Sequence, residues 1–427
     1  MQKQGLLNWK IPFFTIWSGQ AFSLLGSKIA QFALIWWLTE MTGSATVLAM
    51  ASLVGLMPEI VLGPLAGAYI DRWNRRVVMI VADTVIALAS LWLAYLFWTG
   101  VSQVWHIYVI LFIRSVGGSF HWPAMQASTT LMVPKEQLTR VAGMNQTLHG
   151  VLNIFGAPLG ALLMSLLPLH GVMLVDVGTA ALAIGPLFFV HIPQPERKAG
   201  HKEQKQSIWA DMGDGLRYMW NWPGLVILTV VAMVFKLVLT PAFSLVPLLV
   251  KEHFGGDAAQ LSLLEAVMGG GIVAGGLLLS LWGGFRKKVY TILVGMIGLA
   301  MGLIAWGLLP GHLFGGAMIG GALLGLVLPL IDGPLMAILQ SVVDPEIQGR
   351  VFTLFGSLIL LTSPLGLSAA GPISDWLGLQ IWYLVAGVLA VLVAAIFVLI
   401  PAARDIEVNA NGIKEVDEKL VLAEAEA

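Results

Sequence analysis

The sequence predicts an all-α membrane protein: twelve transmembrane helices arranged as two six-helix, pseudo-repeated halves. Composition, the number of apolar stretches and a repeat of constant spacing together predict it. Of the 427 residues, 58% are hydrophobic and only 11% are charged, and mean hydropathy is +0.85. A soluble domain carries roughly 25% charged residues, so this chain lacks the polar surface to dissolve in water.

A membrane helix needs about 20 mostly apolar residues. Twelve stretches qualify: 12–38, 47–70, 77–99, 105–127, 142–166, 172–192, 224–250, 262–283, 289–309, 315–340, 351–371 and 380–400. The first follows Met1 to Lys10 and is far longer than the apolar core of a cleavable signal, about 7–15 residues, so it reads as a retained span. Connections are short until 193–223, where Pro193, Pro195, Arg197, Lys198, Lys202, Lys205 and Arg217 gather. That segment is a linker between an N-terminal half, 1–192, and a C-terminal half, 224–400. Residues 401–427 read as an acidic, solvated tail from Asp405 onward.

Charge sets the orientation. With the N-terminus inside, the cytoplasmic segments hold 19 of the 23 Lys and Arg, and the outer loops hold only Lys251. The opposite orientation would violate the positive-inside rule. Both termini and the linker are therefore expected in the cytoplasm of a multi-pass cell-membrane protein. The sequon Asn145-Gln146-Thr147 then falls on the wrong side for glycosylation and reads as chance.

The halves echo one another. Trp73-Asn74-Arg75-Arg76-Val77 returns as Phe285-Arg286-Lys287-Lys288-Val289, and Pro123-Ala124-Met125 as Pro334-Leu335-Met336. Val133, Glu136, Arg140 and Val141 return as Val343, Glu346, Arg350 and Val351. The three offsets are 212, 211 and 210. Duplicated six-span halves are a plan of alternating-access transporters.

The same inventory excludes other classes. There is no cysteine, hence no disulfide, thiolate metal site or cysteine nucleophile. A net charge of −1 offers no basic face for nucleic acid. No H-E-x-x-H, G-x-S-x-G or P-loop motif appears. The chain is read as a transporter rather than an enzyme, with no cofactor and no metal. The lipid bilayer is an expected partner, and the chain is expected to act as a monomer.

Between the second and third spans stands Gly67-Ala68-Tyr69-Ile70-Asp71-Arg72-Trp73-Asn74-Arg75-Arg76. This resembles the G-x-x-x-D-R-x-x-R-R/K signature of the major facilitator superfamily, on the cytoplasmic side where that family keeps it. Arg114 with Gly118 resembles the family's buried-arginine motif, and Gly150, Gly156, Pro158 and Gly160 resemble the Gly/Pro motif of its antiporters. Further segments are similar to Mef-type macrolide efflux proteins of the drug:proton antiporter-3 branch. They are Asn8-Trp9-Lys10, Thr15 to Gln20, Leu38 to Ala45 and Leu111 to Ser115. The resemblance implies efflux driven by proton entry, with a small amphipathic substrate and protons as the partners and macrolides as one candidate substrate. Exporters of lipids, siderophores or metabolites are the alternative within that branch.

Charges inside spans cost about 2.5–3.5 kcal/mol on insertion scales and usually face a cavity or a partner. Lys28, Glu59, Arg114, Lys236 and Asp332 lie in spans 1, 2, 4, 7 and 10, which surround the cavity in the family's plan. Asp83 and Asp176 are in spans 3 and 6 and read as close to the membrane edges. Arg114 either tunes the proton site, as the resemblance implies, or is structural, capping backbone carbonyls or pairing with an acid. Glu59 is the favoured proton carrier, since a carboxyl out of water holds a proton more readily; its bland reading is a fixed pair with Lys28. Asp332 and Lys236 are the second-half counterparts. His121, two turns from Arg114 on the same face, and His149, flanked by Gln146 and Asn153, are relays or plain hydrogen-bonded structure. Glu265 is expected to snorkel to water. The stripe Gly19, Ser23, Gly26, Ala30 implies close helix packing, and Trp17 and Trp122 are candidates to line a cavity.

Overall fold

A computed structural model describes residues 9–70, 73–190, 192–194, 213, 216–343 and 347–404. Twelve long helices run through them: α1 Lys10–Thr42, α2 Ala45–Ile70, α3 Arg75–Trp98, α4 Val104–Met132, α5 Leu138–Leu166, α6 Leu169–Phe189, α7 Pro223–Ser244, α8 Ala258–Trp282, α9 Lys288–Leu308, α10 Phe314–Val342, α11 Gln348–Leu377 and α12 Leu379–Leu399. There is no strand among the described residues. Eleven of these helices are long and apolar enough to cross a membrane. The twelfth, α4, is long enough, but Arg114, His106, His121, Gln126 and a row of Ser and Thr dilute its apolar character.

The helix bounds carry the repeat further than the motifs do. α4 and α10 start and end 210 residues apart, and so do α6 and α12. Pro123 and Pro334 sit inside α4 and α10. Val133 and Val343 close those helices in the same way, each extended and each donating its N–H four residues back, to Thr129 and Leu339. Glu346 lies outside the described residues.

α7 departs from expectation. A single span over 224–250 was expected, yet α7 ends at Ser244, followed by a short turn Val246–Leu248 and a π-turn Leu249–His253. Pro247 cannot donate a backbone N–H, so the helix breaks there and restarts.

The chain packs as two compact units. The first takes residues to 201 together with 244–266; the second takes 202–243 and the remainder from 267. In the first, α1 packs on α6 and α5, α3 on α4 and α6, and α2 on α4. Lipid tails are as apolar as leucine, so packing and interhelical hydrogen bonds must hold spans together. The small-residue stripe of α1 serves that packing. A Cβ on Gly19 would come within 2.9 Å of the Leu182 carbonyl oxygen, and Gly26 stands against Asp176 and Thr179. Phe13, Ile16, Met79, Met125 and Leu187 form an apolar cluster near the motif ends of these helices. Lys251 donates from Nζ to the carbonyls of Thr39 and Glu40 at 3.0 and 3.1 Å. A cation there complements the negative end of α1.

In the second unit α9 packs on α10 and α12. Its polar ties run to backbone: Trp306 to Ala317, Trp382 to Val238 and Tyr383 to Ala242. Close approach at glycine does the rest, with Gly302 against Leu324 and Gly387 against Ile304.

Candidate transport site

The first unit contains a cavity of about 480 Å³. α1 contributes Gln20, Ser23, Ser27 and Gln31; α2 contributes Gly55, Glu59 and Gly63. α3 and α4 add Asp83, Arg114, Gly118, His121 and Trp122. Gly55, Gly63 and Gly118 have no atom within 4 Å of where a Cβ would stand, so they leave the walls open.

Its charged groups are arranged in two storeys. In the upper one Arg114 Nη1 lies 2.5 Å from Asp176 Oδ2, and the same nitrogen donates to Ser90 Oγ at 3.2 Å. Nη2 donates to the Ser27 carbonyl at 3.1 Å. The hydroxyls of Ser27 and Ser90 donate to the two Asp176 oxygens at 3.1 and 2.7 Å. One guanidinium thus joins α1, α3, α4 and α6. In the lower storey Gln20 Nε2 donates to Asp83 Oδ2 at 3.0 Å, and His121 Nε2 stands 3.3 Å from Asp83 Oδ1. The steps from Gln20 to Ser27, Asp83 to Ser90 and Arg114 to His121 are each seven residues. Seven residues are two turns, about 10 Å at 1.5 Å per residue.

Several expectations change. Asp83 and Asp176 lie about two turns from their helix starts, as read, roughly 10–12 Å at 1.5 Å per residue, but both are buried there and both face α4. Arg114 pairs with an acid, and that acid is Asp176. Glu59 lines the cavity and makes no ion pair with a described residue. Lys28 is not paired with Glu59 either. With Gln31, Phe32, Asn153, Ala157 and Glu265 it lines a second cavity of about 200 Å³. Glu265 lines that cavity beside Lys28, half-buried, and no N–O distance between the two falls within 4.0 Å. In the second unit Lys236 and Asp332 likewise make no ion pair within 4.0 Å of each other.

The remaining motif residues occupy definite places. Gly156 packs on the Lys28 stem and Gly160 on Phe32, so the glycines of α5 let it approach α1, with Pro158 between them. Gly150 lies nearly two turns before Gly156 on α5. His149 meets the Trp122 ring edge-on at 5.3 Å, and Trp122 lines the larger cavity as expected. Trp17 instead donates to Asn145 Oδ1 at 2.8 Å, which gives the sequon asparagine a structural task. Arg75 Nη1 donates to the Ala127 carbonyl at 2.7 Å, and Arg76 Nη2 to that of Phe188 at 2.5 Å. These carbonyls lie in the last turns of α4 and α6, where cations are favoured. Asn74 caps α3 by accepting from the Arg76 and Val77 N–H groups. Gly67 is in the last turn of α2, whereas Asp71 and Arg72 lie outside the described residues.

Reasoning from sequence missed Ser27, Ser90, Gln20, Asp83, Asp176 and Glu265 as parts of the site. The equal two-turn spacings on α1, α3 and α4 were the available signal.

Comparison with known proteins agrees with this arrangement. The profile of the Major Facilitator Superfamily matches residues 16–249. Macrolide efflux protein A of Streptococcus pyogenes is 37% identical over 404 residues, covering 94% of this chain and 99% of that protein. Multidrug efflux pump Tap of Mycolicibacterium fortuitum is 26% identical, covering 90% and 94%. Among solved structures, the nucleoside transporter NupG superposes with a TM-score of 0.69 at 14% identity, covering 92% of this chain and 98% of that one, and so shares the fold. A twelve-helix chain with charges around a cavity and a full-length relationship to efflux proteins is a multi-pass membrane transporter, not an enzyme. It belongs to the Major Facilitator Superfamily and, within it, resembles Mef-type macrolide efflux proteins.

Proposed function

We propose that this efflux transporter exports amphipathic small molecules, macrolides among them, in exchange for protons. It works as a monomer in the cell membrane, with both termini and the 193–223 linker in the cytoplasm and with six-helix halves at 1–192 and 224–400. The observation that carries the reading is the cavity of about 480 Å³, where open, uncharged walls at Gly55, Gly63, Gly118 and Trp122 meet Glu59 and the Arg114 network. An amphipathic guest needs both surfaces. The relative named for macrolide efflux supplies the substrate class.

Within this reading Lys28, Glu59, Arg114, His149, Lys236 and Asp332 line the proton and substrate pathway. Gly67, Asp71, Arg72, Arg75 and Arg76 act in switching between the two facing states. Gly150, Gly156, Pro158 and Gly160 let α5 shift along α1. The test uses purified protein in liposomes. Vesicles made acid inside should accumulate erythromycin as protons leave, and vesicles at equal pH should not. Equal accumulation in both would refute proton exchange, and none in either would refute the macrolide.

A further inference from the structure

The proton in that exchange must reside on a group that can gain and lose it. The upper storey is unsuited to this task, because arginine is not deprotonated in proteins. Arg114 and Asp176 together are already neutral, so a proton added to that carboxylate would leave a net positive charge buried there. The lower storey differs. Asp83 and His121 are both buried, and the His121 Nε2 is sealed from solvent with no aligned hydrogen bond, 3.3 Å from Asp83 Oδ1. With the imidazole neutral and the carboxylate ionised, the pair has a net charge of −1 inside a membrane-spanning unit. One added proton makes it neutral.

Resting on the proton-exchange reading above, we propose that the Asp83–His121 pair is the proton-holding site of the transporter, with Gln20 as a positioning residue. On loading, the lone pair of His121 Nε2 takes a proton, an N–H bond forms, and the imidazolium lies against the Asp83 carboxylate. On release that bond breaks, its electrons stay on the nitrogen, and the proton passes to cavity water or to the Glu59 carboxylate on the same cavity wall. Gln20 fixes the second Asp83 oxygen, so the carboxylate keeps facing the ring in both states.

The surrounding charges permit this assignment. α1 presents only uncharged side chains to the pair's cavity, Gln20, Ser23, Ser27 and Gln31 among them, and α2 presents Glu59. The Asp176 of α6 is tied to Arg114, two turns above. Arg75, about two turns before Asp83 on α3, is bonded to the Ala127 carbonyl. On α5, His149 stands against Trp122. No permanent cation among these groups is directed at Asp83.

The experiment measures erythromycin-linked proton release from purified protein in weakly buffered detergent solution. Wild type should release protons, whereas His121→Gln and Asp83→Asn should not, while both still elute as folded protein. The pH dependence of erythromycin affinity should also flatten in the variants between about pH 5 and 8, where histidine changes charge. A merely structural pair would leave that profile in place. Undiminished release by a folded variant would overturn the inference but leave proton exchange standing. A wild type that releases nothing would overturn both. Should neither variant fold, labelled-histidine NMR of the wild type decides. The His121 imidazole must titrate in that pH window and respond to erythromycin, and a ring that does neither refutes the assignment.

Discussion

At the residue scale the Arg114 guanidinium is the most constrained group in the first unit, because it serves three acceptors on three other helices. A single interhelical hydrogen bond in a bilayer contributes about 0.6 kcal/mol on average. Removing one member of a buried ion pair costs far more, about 3–5 kcal/mol, since it leaves the other charge uncompensated. Arg114→Met should therefore strongly lower the melting temperature in detergent, while Arg114→Met combined with Asp176→Leu should regain most of the loss. Arg114→Lys should fall between, because an ammonium lacks the planar fork that reaches Asp176, Ser90 and the Ser27 carbonyl together. A double variant no more stable than Arg114→Met would show that the pair is not what holds these helices. Arg114 itself was legible in the sequence, as a charge amid an apolar run. Its partner was not, because Asp176 near the start of α6 looks like an interfacial acid until α1 and α6 are seen to close on each other at Gly26.

At the element scale two kinds of glycine separate cleanly. Gly19 meets backbone: a Cβ there would approach the Leu182 oxygen at 2.9 Å and the Ala183 Cα at 3.2 Å, and neither atom can swing away. Gly118, on α4, faces the open cavity with nothing within 4 Å. Gly19→Leu should thus force α1 from α6, with an overpacking cost of about 1–3 kcal/mol or more, read as lower melting temperature and yield. Gly118→Leu should keep or raise the melting temperature, since glycine inside a helix is about 1 kcal/mol worse than alanine, yet reduce erythromycin efflux by filling the cavity. Full export by a folded Gly118→Leu protein would remove this cavity from the substrate path. Sequence periodicity could not make this distinction. It gave the helices to within a few residues, because length and apolarity decide them, and it failed where a polar row or a proline intervened. α4 carries polar residues that serve the site, and Pro247 ends what reads as one continuous seventh span.

At the scale of the whole molecule, duplication and charge asymmetry act at different levels. Duplication fixes the helix frame, which is why α4 and α10, and α6 and α12, keep the same spacing at both ends. It does not fix the polar interior. The positions 210 residues beyond Arg114 and Asp176 are Leu324 and Ala386, and the second unit relies instead on indole and phenol donors bonded to backbone carbonyls. The buried network is thus specific to the first half, and a proton site there needs no mirror image in the other. Charge asymmetry fixes how that frame lies in the membrane. Arg75 and Arg76 are tied to carbonyls in the last turns of α4 and α6, and Lys135 and Arg140 flank the turn that follows α4, so these helix ends share one side. The turn between α3 and α4, at Thr99 to Gln103, carries no charge and belongs to the other side. The chain contains no native cysteine, so single thiols report without background. Val101→Cys, on that exposed turn, should react with a membrane-impermeant thiol reagent on intact cells. Glu136→Cys, equally exposed, should react only once the cells are opened. The reverse pattern would invert the orientation, and with it the direction in which the Asp83–His121 site must load and release its proton.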